Sequence, residues 1–136
     1  MPAIFLRALL LAACCLPAVA ADAPKGPYLS DLMKQPAHRG AWSGMLAGET
    51  PPAAWIQEYA KTLDGPPTPS IAIQANDQTY TLAFTCKPNE CAENQLYVLF
   101  SPGGGKAWGL LITGGVQKWL GGPDKAIQDT ILSGIE

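Results

Sequence analysis

Residues 68–100 read TPSIAIQANDQTYTLAFTCKPNECAENQLYVLF. Ile71, Ile73 and Ala75 alternate with Ala72 and Gln74, and Tyr80, Leu82 and Phe84 alternate with threonines and Ala83. A period of two puts one set of side chains on one face of an extended chain, so both runs are predicted strands, with Asn76-Asp77 as the turn between them. Leu96 to Phe100 is an unbroken apolar run and predicts a third strand. Downstream, Ser101-Pro102-Gly103-Gly104-Gly105 and then Gly114-Gly115 set off two more runs, Lys106–Thr113 and Val116–Leu120. Connections this short join antiparallel neighbours, which predicts a five-stranded antiparallel meander.

Upstream of Pro69 the period is close to four. Leu29, Leu32 and Met33, then Ala41, Trp42, Met45 and Leu46, recur at helical spacing and predict two short helices split at Pro36, with Gly48 stopping the second. Thr50-Pro51-Pro52 is read as the start of a third, capped by Thr50. Its stripe is Trp55, Ile56, Tyr59, Ala60 and Leu63, and Asp64-Gly65-Pro66-Pro67 ends it. After the sheet, Gly121-Gly122-Pro123-Asp124 opens a last helix with Ala126, Ile127, Thr130 and Ile131 on one side and Gly134 as its expected terminator. Helices, then sheet, then helix make an α+β domain, the sheet flanked by short helices.

The first twenty residues stand apart. Arg7 precedes an apolar run from Ala8 to Leu16, and Ala18-Val19-Ala20 has the small-x-small form of a signal-peptidase site, so residues 1–20 are read as a signal peptide cut after Ala20 and residues 21–136 as the mature domain. A lipoprotein signal ending at Cys14 is the lesser reading, because Arg7 leaves too short an apolar stretch before it. Residues 21–27, ADAPKGP, read as a flexible lead.

The chain has 136 residues, 48% of them hydrophobic and 15% charged, with nine basic against eleven acidic side chains. That balance excludes a disordered chain, and no apolar stretch reaches the 18 or so residues of a membrane span. Scattered, outnumbered basic residues form no stripe for nucleic acid. Losing the leader takes one base and no acid, so the exported domain is more acidic than the whole.

Few residues suggest chemistry. Gly105-Lys106 is followed by Ala107 and a strand, not by the Ser or Thr and helix of a phosphate loop. His38 is the only histidine and reads as a solvated helix residue; no nucleophile elbow and no metal-ligand spacing accompany it. The tryptophans Trp42, Trp55, Trp108 and Trp119 read as core, and an acid pair such as Glu49 and Glu58 has no spacing to single it out. No metal, no cofactor and no catalytic residue is expected.

Removing the leader leaves Cys86 and Cys91, an even pair in an exported chain and hence a predicted disulfide. Four residues separate them, against two in a redox-active CxxC. The bond would pinch a hairpin end into a small ring. One reading is a stapled turn. The other is a preorganised probe in which Lys87, Pro88, Asn89 and Glu90 stand clear of the sheet with little ordering entropy left to lose on binding.

The CKPNEC segment between two strands resembles the C-K-P-H-D-C pattern of the Ivy family, the periplasmic inhibitors of vertebrate lysozyme. PPAAWIQEY at 51–59 is similar to that family's Pro-Ala-Trp helix, and TPSIAI at 68–73 and NDQTYTLAFTC at 76–86 to its first two strands; Trp119-Leu120 with a helix after it is also similar. The resemblance implies a non-enzymatic inhibitor, usually a homodimer, whose disulfide-closed loop enters the active-site cleft of a c-type lysozyme. There the family histidine hydrogen-bonds the two catalytic carboxylates. This chain has Glu90 for the family aspartate and Asn89 for the histidine. The second exchange supports an alternative, a family relative that leaves lysozyme alone and binds another envelope protein such as a lytic transglycosylase.

Overall fold

The computed structural model describes residues 25–136. The expected leader, its cleavage site and Cys14 lie outside the described residues.

The five predicted strands form one antiparallel sheet in sequence order: β1 (Ile71–Ala75), β2 (Gln78–Cys86), β3 (Asn94–Phe100), β4 (Ala107–Thr113) and β5 (Val116–Leu120). Asn76 and Asp77 both have positive φ, 51° and 60°, as do Gly114 and Gly115, at 55° and 80°. Two left-handed residues in a two-residue connection match the right-handed twist of the strands they join. The register follows, with Leu82 opposite Leu99 and Leu96 opposite Leu111.

Helices cover both faces of the sheet: α1 (Leu29–Leu32), α2 (Pro36–Leu46) and α3 (Ala54–Thr62) one face, and α4 (Lys125–Ile135) the other. Leu96, Val98 and Phe100 pack with Trp42, Met45, Ile56 and Tyr59 on the first face. Leu82, Leu99, Trp108 and Leu110 pack with Ile131 on the second. β3 is thus buried on both sides, which is why its sequence runs apolar without alternating. Among the described residues no helix is long and apolar enough to cross a membrane.

Several local expectations are corrected. Gly26 and Pro27 are not a free lead, because the Gly26 N–H donates to the Ser70 carbonyl and the Ser70 N–H to the Pro27 carbonyl, each at 3.0 Å. The second helix does end at Leu46, with Gly48 just past its Ala47 cap, as expected. Thr50 does not cap α3. The cap is Ala53, since a residue that precedes proline avoids helical angles and Pro51 precedes Pro52. Gly134 does not terminate α4, which runs through Ile135. A Cβ on Gly134 would lie 2.5 Å from Leu82 Cδ2 and 2.6 Å from Ile73 Cδ1, so glycine there lets the helix sit down on the sheet. Asp124 opens that helix as a true cap, its carboxylate accepting from the Ile127 N–H at 2.9 Å.

His38 is the largest departure. It is buried, 9% exposed, with its ring centroid 4.9 Å from that of Phe100. Its spacing from Ala41, Trp42 and Met45 puts it on the covered face of α2, and the ring lies flat on the backbone of Gly104, where only a hydrogen in place of Cβ leaves room. Nδ1 has no hydrogen-bond partner among the described residues. Burial pushes the imidazole pKa below its ordinary 6.5. Trp42 and Trp108 are core as expected, whereas Trp55 and Trp119 are half-buried.

Candidate functional site

Where β2 and β3 part, the Lys87 N–H donates to the Asn94 carbonyl at 3.0 Å and closes the ladder. The chain then leaves the sheet. The Glu90 N–H donates back to the Lys87 carbonyl at 3.0 Å, which makes Lys87-Pro88-Asn89-Glu90 a four-residue turn. Pro88 fits its second position because proline fixes φ near −65°, and Asn89, at φ 64°, occupies a third position that must be left-handed. Asparagine tolerates that region better than most residues, so Asn89 suits the turn.

The turn is anchored on its return. The Asn94 and Glu93 N–H groups both donate to the Glu90 carbonyl, and the Gly114 N–H of the β4–β5 turn donates to the Glu93 carbonyl at 2.8 Å. Cys86 and Cys91 are disulfide-bonded with Cα atoms 4.9 Å apart, the first buried in the sheet and the second exposed. Pro88, Asn89 and Glu90 are exposed and Lys87 is half-buried. The disulfide is as expected from sequence.

The polar groups are not three independent probes. The Lys87 ammonium is ion-paired with the Glu90 carboxylate across the base of the turn. That leaves the exposed Asn89 amide at the tip as the group outside the pair.

Beside the turn lies a recess of about 360 Å³ that sequence reasoning did not find. Trp55, Glu58, Tyr59 and Thr62 of α3, and Asp64 beyond it, face Lys87 and Pro88 across it. α3 ends there because Leu63 turns left-handed at φ 55°, its N–H donating to the Tyr59 carbonyl at 2.8 Å. The Arg39 guanidinium holds the helix from the far side, donating to the Ala60 and Met33 carbonyls. Tyr59 is buried against Trp42; its phenol pKa is pushed up to about 12, chiefly by burial and then by the Asp31 carboxylate, so it stays neutral. Glu49 is ion-paired with Lys118 of β5, and Glu58 lines this recess, so the two acids named from sequence have separate surroundings. Trp55, Glu58, Tyr59 and Thr62 share one side of α3 by their spacing, but nothing along the chain announces that Lys87 and Pro88 lie opposite them.

The family model described as inhibitor of vertebrate lysozyme, Ivy, matches residues 37–130, from the start of α2 well into α4 and across the stapled turn. The chain belongs to the Ivy family. Ivy proteins are inhibitors, not enzymes. An inhibitor of vertebrate lysozyme from Pseudomonas aeruginosa is 27% identical over 130 residues, covering 85% of this chain and 82% of the relative. An uncharacterised protein of Yersinia pestis is 28% identical over 123 residues, 81% of this chain and 77% of its own length. An inhibitor of vertebrate lysozyme from Escherichia coli is also 28% identical, over 85 residues that are 62% of this chain and half of that one. At this Ivy level the partner is a muramidase, the lysozyme that the family's description names.

Proposed function

We propose that this Ivy chain inhibits c-type lysozyme by seating its cystine-closed turn, Lys87 to Glu90, in the enzyme's active-site cleft. The observation that carries the reading is the turn itself: a ring fixed by a disulfide, a proline and the four backbone hydrogen bonds at Lys87 and Glu90, with an uncommitted amide at its exposed apex. A lysozyme site holds one protonated and one ionised carboxyl group about a sugar-sized gap. A rigid loop that donates hydrogen bonds there satisfies the carboxylates and excludes the glycan. Little conformational entropy is left for it to lose on entry. The protein would be exported by residues 1–20, act from residues 21–136 in the periplasm, and pair as a homodimer.

Asn89 favours one alternative strongly enough to keep it. An amide is neutral and offers both donors from one nitrogen, whereas an imidazolium donates with charge from two. Losing that charge assistance costs on the order of 1 to 2 kcal/mol, about ten- to thirtyfold in binding. The alternative is an Ivy-fold relative that does not inhibit lysozyme and binds another envelope protein, such as a lytic transglycosylase.

The two readings separate in a cell-wall clearing assay in which c-type lysozyme is titrated with the wild-type protein, Asn89→Ala and Asn89→His. Inhibition by the wild type that is lost in Asn89→Ala supports the first reading. Inhibition by Asn89→His alone transfers support to the second. Clearing of peptidoglycan by the protein itself would defeat both.

A further inference from the structure

We propose that the recess between α3 and the stapled turn is a second contact, built to take a cationic side chain, arginine by preference, from the rim of the cleft that the turn enters. The inference rests on the function proposed above for its partner, while its own chemistry is independent of it.

Charge is the first argument. Glu58 and Asp64 stand at the recess with exposed side chains, and neither belongs to any of the ion pairs formed among the described residues. The cation that also reaches the recess, Lys87, is taken by Glu90. The recess therefore carries two uncompensated carboxylates and no free ammonium of its own.

Shape is the second. Half-buried Trp55 and buried Tyr59 supply aromatic surface. A guanidinium stacks on such faces while its edge donates to carboxylates, which a water-loving ammonium does less well. Exposed acids alone would add little. Acids beside an aromatic floor in a concave site desolvate the cation and make the contact count.

Rigidity is the third. Backbone at Gly65 sits against both Tyr59 and Thr85, close enough that a Cβ there would lie 3.0 Å from Tyr59 Cε2 and 2.6 Å from Thr85 Oγ1. Thr85 adjoins Cys86, so the end of α3 is packed against the strand that carries the turn. Turn and recess hold a fixed separation and present a partner with two features at once. One plugs a cleft, and the other grips a positive group beside it.

Two measurements on the purified protein test this. In the first, N-acetyl-arginine amide is titrated into isotope-labelled protein, with N-acetyl-norleucine amide as the neutral control. Saturable shifts at the Trp55 indole N–H and the Asp64 amide, absent with the control and abolished in the double variant Glu58→Gln/Asp64→Asn, are expected. Shifts scattered elsewhere, or unchanged in the double variant, overturn the proposal. Both positions are exposed, so the variant should keep the wild-type melting temperature.

In the second, inhibition of c-type lysozyme by the wild type and the double variant is compared across salt concentrations. A loss of about five- to tenfold at low salt, shrinking as salt rises, is expected. Equal inhibition at every salt concentration overturns the recess and leaves the turn standing. If the wild type does not inhibit at all, the plug reading falls, and the arginine titration judges the recess alone.

Discussion

β3 begins and ends in tight connections that solve a similar backbone problem with opposite materials. At its start, Lys87-Pro88-Asn89-Glu90 places Asn89 at φ 64°, exposed and inside a disulfide ring. At its end, Pro102–Gly104 places Gly103 and Gly104 at 79° and 76°; Gly104 is buried under His38, and Ser101 and Lys106 close the connection through their backbones. Gly104 of the second connection belongs to the core, so glycine there answers to packing. The first has no core to lean on and is held by covalent and local bonds, so its side chains are free to answer to a partner. Changes in the glycine connection should therefore be read in stability, and changes in the stapled turn in binding.

Gly104→Ala is the most severe way to break that contrast. Its Cβ would fall 2.3 Å from His38 Cε1, in a backbone region that costs an L-residue roughly 1 to 2 kcal/mol before any overlap. Adding about 1 to 3 kcal/mol for overpacking gives about 3 kcal/mol, or a melting temperature lower by about 10 °C. Thermal unfolding followed by circular dichroism checks the fall. Lysozyme inhibition per folded molecule should be unchanged, and a loss of inhibition without loss of stability would reverse the assignment of the two turns.

Cys86→Ser/Cys91→Ser sharpens the contrast from the other side. Opening a ring of this size returns roughly 2 kcal/mol of chain entropy to the unfolded state at most, so the fold should survive with a modestly lower melting temperature. Inhibition should weaken more than stability does, by about tenfold, because the tip must then be ordered on binding. Equal inhibition by the opened ring would reduce the disulfide to a staple.

Legibility divides along the same line. The sheet was readable because alternation in β1 and β2 and two-residue turns at Asn76-Asp77 and Gly114-Gly115 are local signals, and the stapled turn because its six residues are contiguous. His38 was misread because its polarity outweighed its place on the stripe of Ala41, Trp42 and Met45, and the room for its ring comes from Gly104, far along the chain. Gly134 looked like a terminator for the same reason, its role being set by Leu82 and Ile73. The recess of Trp55, Glu58 and Tyr59 against Pro88 arises only when α3 meets the β2 end, so no one-dimensional pattern could name it.

A smaller effect comes from pH. His38 has its pKa lowered by burial, so the unfolded chain binds its proton more readily than the folded one. Stability is then complete above the ordinary value of 6.5 and falls as pH drops from there through the folded-state value. Denaturant midpoints measured from pH 8 to pH 5 should show that decline, and His38→Phe, which keeps a ring beside Phe100 without a titrating nitrogen, should flatten it. A slope that persists in His38→Phe would assign the decline to other groups.

The least effect should come from Lys87→Gln. Its partner Glu90 is the last residue of the same turn, and both side chains are about half exposed, 40% and 51%, so water screens the pair and its contribution is about 0.5 kcal/mol or less. The backbone turn does not need it: Glu90 N–H already donates to the Lys87 carbonyl, Pro88 fixes its own φ, and the cystine closes the ring. Melting should shift by about 2 °C at most, and the Asn89 amide resonance should stay where it is. A large displacement of that resonance would mean that an exposed ion pair, and not covalent closure, shapes the tip, and the division between a packed turn and a stapled one would lose its physical basis.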